Sequence, residues 1–231
     1  SSLFTGDAVS GASEIRRYVI TEDLVEAIIQ LPTDLFYNTG ISTYIWVLTR
    51  GKPMHRSGKV QLIDASKCFV KRRKNIGSKR VDLDDACIEL ILRAYEDFDN
   101  RAYEENGLIV ESKVFDNSFF GFTKVTVETA QADATGKPVL KKGKKQPVKG
   151  ASDTEIIPLS EDIDSYMEKN VLPYNPLAYI DPAKDKIGYE IPFTRLFYKF
   201  VAPASSESIF EEIKALEAEE TILMKELFGH A

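Results

Sequence analysis

Apolar residues along the chain fall into two kinds of pattern, uninterrupted short runs and helical stripes. Residues 24–31 form a near-continuous apolar run stopped by Pro32, and residues 43–48 form a second, rich in β-branched and aromatic side chains. Residues 60–65 make a third, before Ser66. Runs that do not alternate polar with apolar predict strands covered on both faces, as in an α/β sheet. Residues 14–20 predict a short helix with Ile15, Tyr18 and Val19 on one side and Ser13 or Ser10 as its cap. Over residues 83–98, Leu83, Cys87, Leu90, Ile91, Ala94 and Phe98 recur at helical spacing behind Asp82 as a cap. Residues 119–127 read as a strand or hairpin arm with Gly121 at a bulge or turn. Residues 160–171 read as a helix capped by Ser160, ending before Pro173. A last helix covers residues 206–228, where Ile209, Ile213, Leu216, Glu220, Leu223 and Leu227 lie on a heptad seam with one charged position.

Length and composition fit a globular chain that needs no disulfide or metal to fold. It has 231 residues, 43% apolar and 29% charged, which excludes disordered and collagen-like classes. No apolar run is long enough to span a bilayer, so no membrane partner is expected. The first residues show no leader and no initiator Met, and read as a piece of a longer protein. A net charge of −6 does not suit a uniformly basic nucleic-acid binder, but the average hides two islands. Seven Lys/Arg and no acid lie between Lys67 and Arg80, and six Lys and no acid between Lys137 and Lys149. The first island is either a set of phosphate contacts or a solvated face. The second sits in residues 130–153, rich in Gly, Lys, Pro and Ala, which predict a mobile loop between two lobes. Cys68 and Cys87 are the two cysteines and fit a reducing cytoplasm, with Cys87 a buried thiol on its helical stripe. His55 and His230 leave little from which to build a zinc site.

Several chemistries fail on inventory. No serine stands in a nucleophile elbow, and His55 lies in a turn-like segment. Gly6 and Gly11 bracket four residues, but no Lys-Ser/Thr follows Gly11. The acid pairs Asp84-Asp85 and Asp162/Asp164 sit at helix starts, where the dipole accounts for them. Two aromatic-rich segments stand out. Leu31-Pro32-Thr33-Asp34-Leu35-Phe36-Tyr37-Asn38-Thr39-Gly40, running into Thr43–Leu48, is either a ligand loop between two buried strands or a hairpin whose aromatics fill core. Ile187-Gly188-Tyr189-Glu190-Ile191-Pro192-Phe193-Thr194-Arg195-Leu196-Phe197-Tyr198 carries too many aromatics for a solvated loop and must pack or bind something.

The first of these segments resembles the late methyltransferase motif of the methylation subunit of type I restriction-modification systems. The second resembles that subunit's signature before its C-terminal helix. Glu14-Ile15-Arg16-Arg17-Tyr18, Val60-Gln61-Leu62-Ile63-Asp64-Ala65 and Lys71-Arg72-Arg73-Lys74-Asn75-Ile76-Gly77 are similar to the same family, in its order, so the resemblance runs from about residue 3 to residue 228. It implies methyl transfer from S-adenosylmethionine to adenine N6 in duplex DNA, a cytoplasmic enzyme, a specificity subunit that reads the target, and a restriction subunit in the full complex. That chemistry needs a Gly-rich cofactor loop and an Asn/Asp-Pro-Pro-aromatic motif. Neither occurs here. Asn175-Pro176-Leu177-Ala178-Tyr179 lacks the second proline and is rejected as catalytic. The expectation is therefore a C-terminal piece, inactive alone, whose main cofactor site lies outside this chain. A non-catalytic DNA-binding or scaffold protein is the competing class.

The resemblance implies that residues 24–31 and 43–48 are the antiparallel edge of an otherwise parallel class I (Rossmann-like) methyltransferase sheet, with residues 60–65 as an extension. The expected organisation is residues 1–66 as the last methyltransferase strands and 67–129 as a basic segment, helix and strand. Residues 130–153 follow as the loop, 154–205 as a mainly helical lobe that also receives the helix of residues 83–98, and 206–231 as a partner helix. Flipped bases are held by aromatic stacking and polar edge contacts, so Phe36, Tyr37, Asn38 and Thr39 are expected to wall the adenine pocket. Lys71, Arg72, Arg73, Lys74, Lys79 and Arg80 are the expected DNA contacts. Ile209, Ile213, Leu216, Leu223 and Leu227 either dock on the specificity subunit or fold back on their own lobe. The family's C-terminal helices favour the first.

Overall fold

The computed structural model describes residues 4–200 and 202–229. His230 and the outermost residues of the first and last expected segments lie outside the described residues. The chain divides into two compact units, residues 1–193 and 194–231.

The first unit opens with α1 (Gly11–Thr21), whose N-cap Ser10 accepts a hydrogen bond from the Ser13 N–H. Strands β1 (Val25–Gln30), β2 (Tyr44–Leu48) and β3 (Lys59–Lys67) follow. β1 is antiparallel to β2 and parallel to β3, with Ala27–Gln30 opposite Gln61–Asp64. Val25, Ala27, Ile28, Leu62 and Ile63 are fully buried, as runs without alternation predict. The basic island is a hairpin, β4 (Val70–Ile76) and β5 (Lys79–Asp82). Next come α2 (Asp85–Asp97), β6 (Arg101–Glu105) and β7 (Leu108–Asp116). The sheet order is β2-β1-β3-β7-β6.

Three expectations are corrected here. Among the described strands only β1 and β3 pair in parallel, and the sheet continues antiparallel through β7 and β6, so the parallel part of the expected sheet is not seen in this chain. α2 is capped by Asp84 rather than Asp82, and it packs on β3, β6 and β7 rather than in a later lobe. The reason is the β6–β7 hairpin. It turns at Asn106-Gly107, both at positive φ, and extends the sheet under the apolar face Cys87, Leu90, Ile91 and Ala94.

β8 (Gly121–Ala130) is the centre of a second, antiparallel sheet. A small hairpin of β9 (Leu140–Lys141) and β10 (Lys144–Lys145) leads into β11 (Pro147–Pro158), which pairs with one edge of β8. Much of the expected loop is therefore strand, because ladder hydrogen bonds need no large side chains. α3 (Ile163–Tyr166) is one turn long, continues as a π-turn to Val171, and is capped by Asp162 rather than Ser160. β12 (Ala178–Ile180) and β13 (Lys186–Tyr189) then pair with the other edge of β8. Residues 154–193 thus interleave short strands of the second sheet with short helical turns, rather than forming the mainly helical lobe expected. Pro173 and Pro176 stop the helical turn of α3 from continuing, and the strands beyond it are too short to show a period. Val125, Val127, Ile157, Met167 and Ala178 form the core of this layer.

α1 joins the two sheets. Ser13 Oγ accepts the Tyr189 N–H at 3.0 Å, and the buried Arg16 donates Nε–H to the Tyr189 carbonyl at 2.5 Å. Two segments that carried the family resemblance thus meet as a structural tie. The second aromatic segment does pack over its first half, where Tyr189, Ile191 and Phe193 are buried. Gly188 lies so close to the Phe122 ring that a Cβ would fall 2.4 Å from it.

α4 (Phe193–Phe197) begins at the boundary of the units, and α5 (Ser206–Phe228) makes up most of the second. α5 has the predicted bounds and is capped by Ser205, which accepts from the Ser208 N–H. No helix among the described residues is long and apolar enough to cross a membrane.

A buried polar group holds α2 to the first sheet. The Arg56 guanidinium lies between the Tyr95 and Phe98 rings, 4.4 and 4.5 Å from their centroids, and 3.3 Å from Glu26. It donates to the carbonyl of Tyr95, while Gln61 Nε2 donates to the Ala94 carbonyl and to Ser112 Oγ. Arg56→Ala would leave the Glu26 carboxylate buried beside an empty space, and should cost about 3–5 kcal/mol. Urea denaturation midpoints measure this. A loss below about 1 kcal/mol would show that the Tyr95 hydroxyl, which donates to Glu26 Oε1 at 2.7 Å, already compensates the carboxylate.

Candidate nucleic-acid interface

Because β1 and β3 are parallel, their carboxyl ends lie on the same side of the sheet. The loop after β1 (residues 31–43) and the hairpin after β3 (residues 68–82) therefore emerge together, where open α/β sheets place ligand contacts. The loop is closed by the Leu31 N–H donating to the Thr43 carbonyl at 2.8 Å. Leu31, Pro32 and Leu35 are buried, with Leu31 and Leu35 in the core that also holds Cys68, Val81 and Cys87. Asp34 takes a left-handed φ of 57°, and a Phe36–Thr39 bridge pinches Tyr37 and Asn38 into the tip. Phe36 and Tyr37 are 45% and 57% exposed. Asn38 is also exposed and Thr39 half-buried. These aromatics do not fill core. The structure thus presents a small aromatic and amide surface that a planar group can stack on.

The hairpin brings the basic residues beside this turn, though not all six are available. Arg72 and Lys79 both pair with Asp82, Lys79 at 2.8 Å. The Lys79 ammonium, followed by the Arg72 guanidinium, holds the Asp82 carboxyl below the ordinary carboxylate range. Lys71, Arg73, Lys74 and Arg80 are exposed. The Lys79 ammonium also stands 5.5 Å over the centre of the Tyr37 ring. Sequence reasoning missed the Asp82 pairing, since both partners look like free cations in a run. It also missed the backbone contacts of Gly77, Ser78 and Arg80 with the turn, although Gly77-Ser78 between strand residues is a hairpin signal.

Other candidate groups are not presented on this surface: Cys68 is buried beneath it, and the rest lie elsewhere. Burial first, then Cys87, pushes the Cys68 thiol up to about 12, so it is inert. Asn175 donates from Nδ2 to Thr129 Oγ1 at 2.7 Å and serves the second sheet. A cleft of about 790 Å³ borders α3, lined by Glu161, Asp162, Asp164, Glu168 and Asp185 among others, an acidic lining unsuited to phosphate. Among the described residues no cluster of three or more His, Cys, Asp or Glu is arranged to hold a metal. In the second unit, Ile209, Ile213, Leu216, Leu223 and Leu227 are exposed along α5, flanked by exposed Phe210, Ile222, Met224 and Phe228.

Known proteins place this surface in context. A family model described as N-6 DNA Methylase matches residues 2–130, more than half of the chain and the whole of the surface just described. The MjaVIII methylase subunit of a type I restriction enzyme from Methanocaldococcus jannaschii is 37% identical over 98 residues, covering 42% of this chain and 17% of that protein. The HindI methylase subunit of a type I restriction enzyme from Haemophilus influenzae is 33% identical over 133 residues, covering 56% and 29%. The chain thus spans under a third of the length of either relative. The crystal structure of a type I restriction-modification methyltransferase subunit from Streptococcus thermophilus has a TM-score of 0.40 and 27% identity over 50% of this chain and 21% of that one.

Proposed function

Since this chain belongs to the N-6 DNA methylase family, we propose that it forms the distal part of a type I restriction-modification methylation subunit. That enzyme transfers a methyl group from S-adenosylmethionine to adenine N6 in duplex DNA, in the cytoplasm. The exposed Phe36–Thr39 turn beside a basic hairpin supports this reading most. It offers stacking faces and polar edge contacts for a flipped adenine, with cations for the phosphates around it. β1 and β2 are the last two strands of the methyltransferase sheet. β2 lies at the edge of its sheet, which leaves room for the remaining strands. The residues present do not fit the cofactor: the chain has no Gly-rich loop and no Asn/Asp-Pro-Pro-aromatic motif. Its contribution is to wall the base and bind the backbone, and alone it transfers no methyl group.

In the assembled enzyme, Phe36→Ala and Tyr37→Ala should each lower the methylation rate roughly 5- to 100-fold, the worth of one stacking contact. Methyl incorporation into a duplex carrying the target site measures it, with the isolated chain as a negative control. Unchanged rates in both variants, or turnover by the isolated chain, would overturn the assignment.

Lys71, Arg73, Lys74 and Arg80 contact DNA phosphates, whereas Arg72 and Lys79 stiffen the hairpin through Asp82. Sequence choice belongs to the specificity subunit, because phosphate contacts carry no sequence information. Replacing both Arg73 and Lys74 by Glu should reduce the slope of log affinity against log salt by about 2 for the assembled enzyme. An unaltered slope would return these residues to a merely solvated face.

α5 docks on the specificity subunit through Ile209, Ile213, Leu216, Leu223 and Leu227, and the restriction subunit joins the same complex. A lone helix of this length is marginal in water, so its apolar residues require a partner surface. Glu220 on the seam sets register at a cost in stability. Deleting residues 206–231 from the full methylation subunit should leave it folded but unable to co-purify with the specificity subunit. Normal assembly of the truncated protein would reduce α5 to local packing.

A further inference from the structure

The outer edge of β5 is occupied by the turn that carries Phe36 and Tyr37. The Ser78 N–H donates to the Tyr37 carbonyl at 2.9 Å, and the Arg80 N–H to the Asp34 carbonyl at 2.8 Å. The turn hangs on the hairpin as a short third strand. The neighbouring Val81 packs in the same core as Leu35, so the hairpin grips the loop at its root as well as its tip. Gly77, at a φ of +58°, makes the closest approach: a Cβ there would fall 2.7 Å from the Tyr37 carbonyl oxygen. That neighbour is backbone and cannot rotate away, so any side chain at position 77 displaces the turn. The other side of the same hairpin presents Arg73 and Lys74 to solvent.

We propose that the β4–β5 hairpin is the element that shapes the base-contact turn, with Gly77 as its positioning residue. The hairpin that holds the DNA backbone thereby fixes where the Tyr37 ring stands. This rests on the reading of residues 36–39 as the adenine wall, and it assigns a role that neither the cations nor the aromatics have alone. A flexible loop would have to be ordered each time a base arrives, whereas a turn already bonded to β5 is set beforehand.

The test compares Gly77→Ala with Gly107→Ala in the assembled methylation enzyme. Both glycines lie at positive φ, but a Cβ at Gly107 meets nothing within 4 Å. Hydrogen exchange over residues 33–43 should speed up in Gly77→Ala and stay unchanged in Gly107→Ala. With DNA as substrate, kcat should fall roughly 10- to 100-fold in Gly77→Ala with KM altered less than about 3-fold, while Gly107→Ala stays near wild type. Unchanged exchange over residues 33–43, or the same kcat in the two variants, overturns the positioning role. Should Gly77→Ala not fold, Lys79→Gln removes the cation over Tyr37 without steric conflict and must loosen the same segment. Faster exchange combined with a fully active Tyr37→Ala enzyme overturns the adenine-wall reading while supporting the clamp itself.

Discussion

The parallel pairing of β1 with β3 is the constraint from which the functional surface follows. Parallel strands cannot be joined by a tight turn, so the chain leaves β1, returns through β2 on one flank, and crosses to β3 on the other. Both strands then end on the same side. Without that pairing, the 31–43 loop and the basic hairpin would lie at opposite ends of the sheet, with aromatics and cations out of reach of one another. The register of Ala27–Gln30 against Gln61–Asp64 thus matters to chemistry more than any single side chain in it.

Two buried guanidinium groups keep this arrangement together, each through backbone carbonyls as well as charge. Arg56 ties α2 to the sheet and lies between two rings. Arg16 ties α1 to β13. Guanidinium suits both positions because its planar fork presents several fixed donors at once, which a lysine ammonium does not. A buried charge is costly to leave unpaired, so these sites fix orientation by penalising every other one. The acidic patch around α3 has no such bearing on the surface of the first sheet.

The legible part of the fold was the part written in runs and stripes. β1, β3, α1 and α5 follow directly from uninterrupted apolar runs or helical spacing with a serine cap. β2 follows as a strand but is not covered on both faces as its run predicts, since Ile45 and Leu48 are about half exposed. β6 and β7 carry an Asn106-Gly107 turn signal, but Arg101–Glu105 is too polar to read as a strand. The second sheet was hidden for a different reason. β11 is largely exposed, and its stability comes from a ladder with β8 rather than from side chains that a pattern can display. Within the site, exposure of Phe36 and Tyr37 and the pairing of Arg72 with Asp82 depend on contacts between residues ten or more positions apart. Neither run length nor charge count contains them.

The β2 edge has a consequence for how the protein behaves in bulk. Ile45 and Leu48 are about half exposed on a strand that no other described strand borders on its outer side. A row of backbone donors and acceptors flanked by apolar side chains is a template for any extended segment, including the same strand of a second copy. Natural edges are blunted by lysines, prolines or bulges, and Tyr44–Leu48 has neither a lysine nor a proline. A strand laid on this edge would therefore act as a solubility device as well as a piece of architecture.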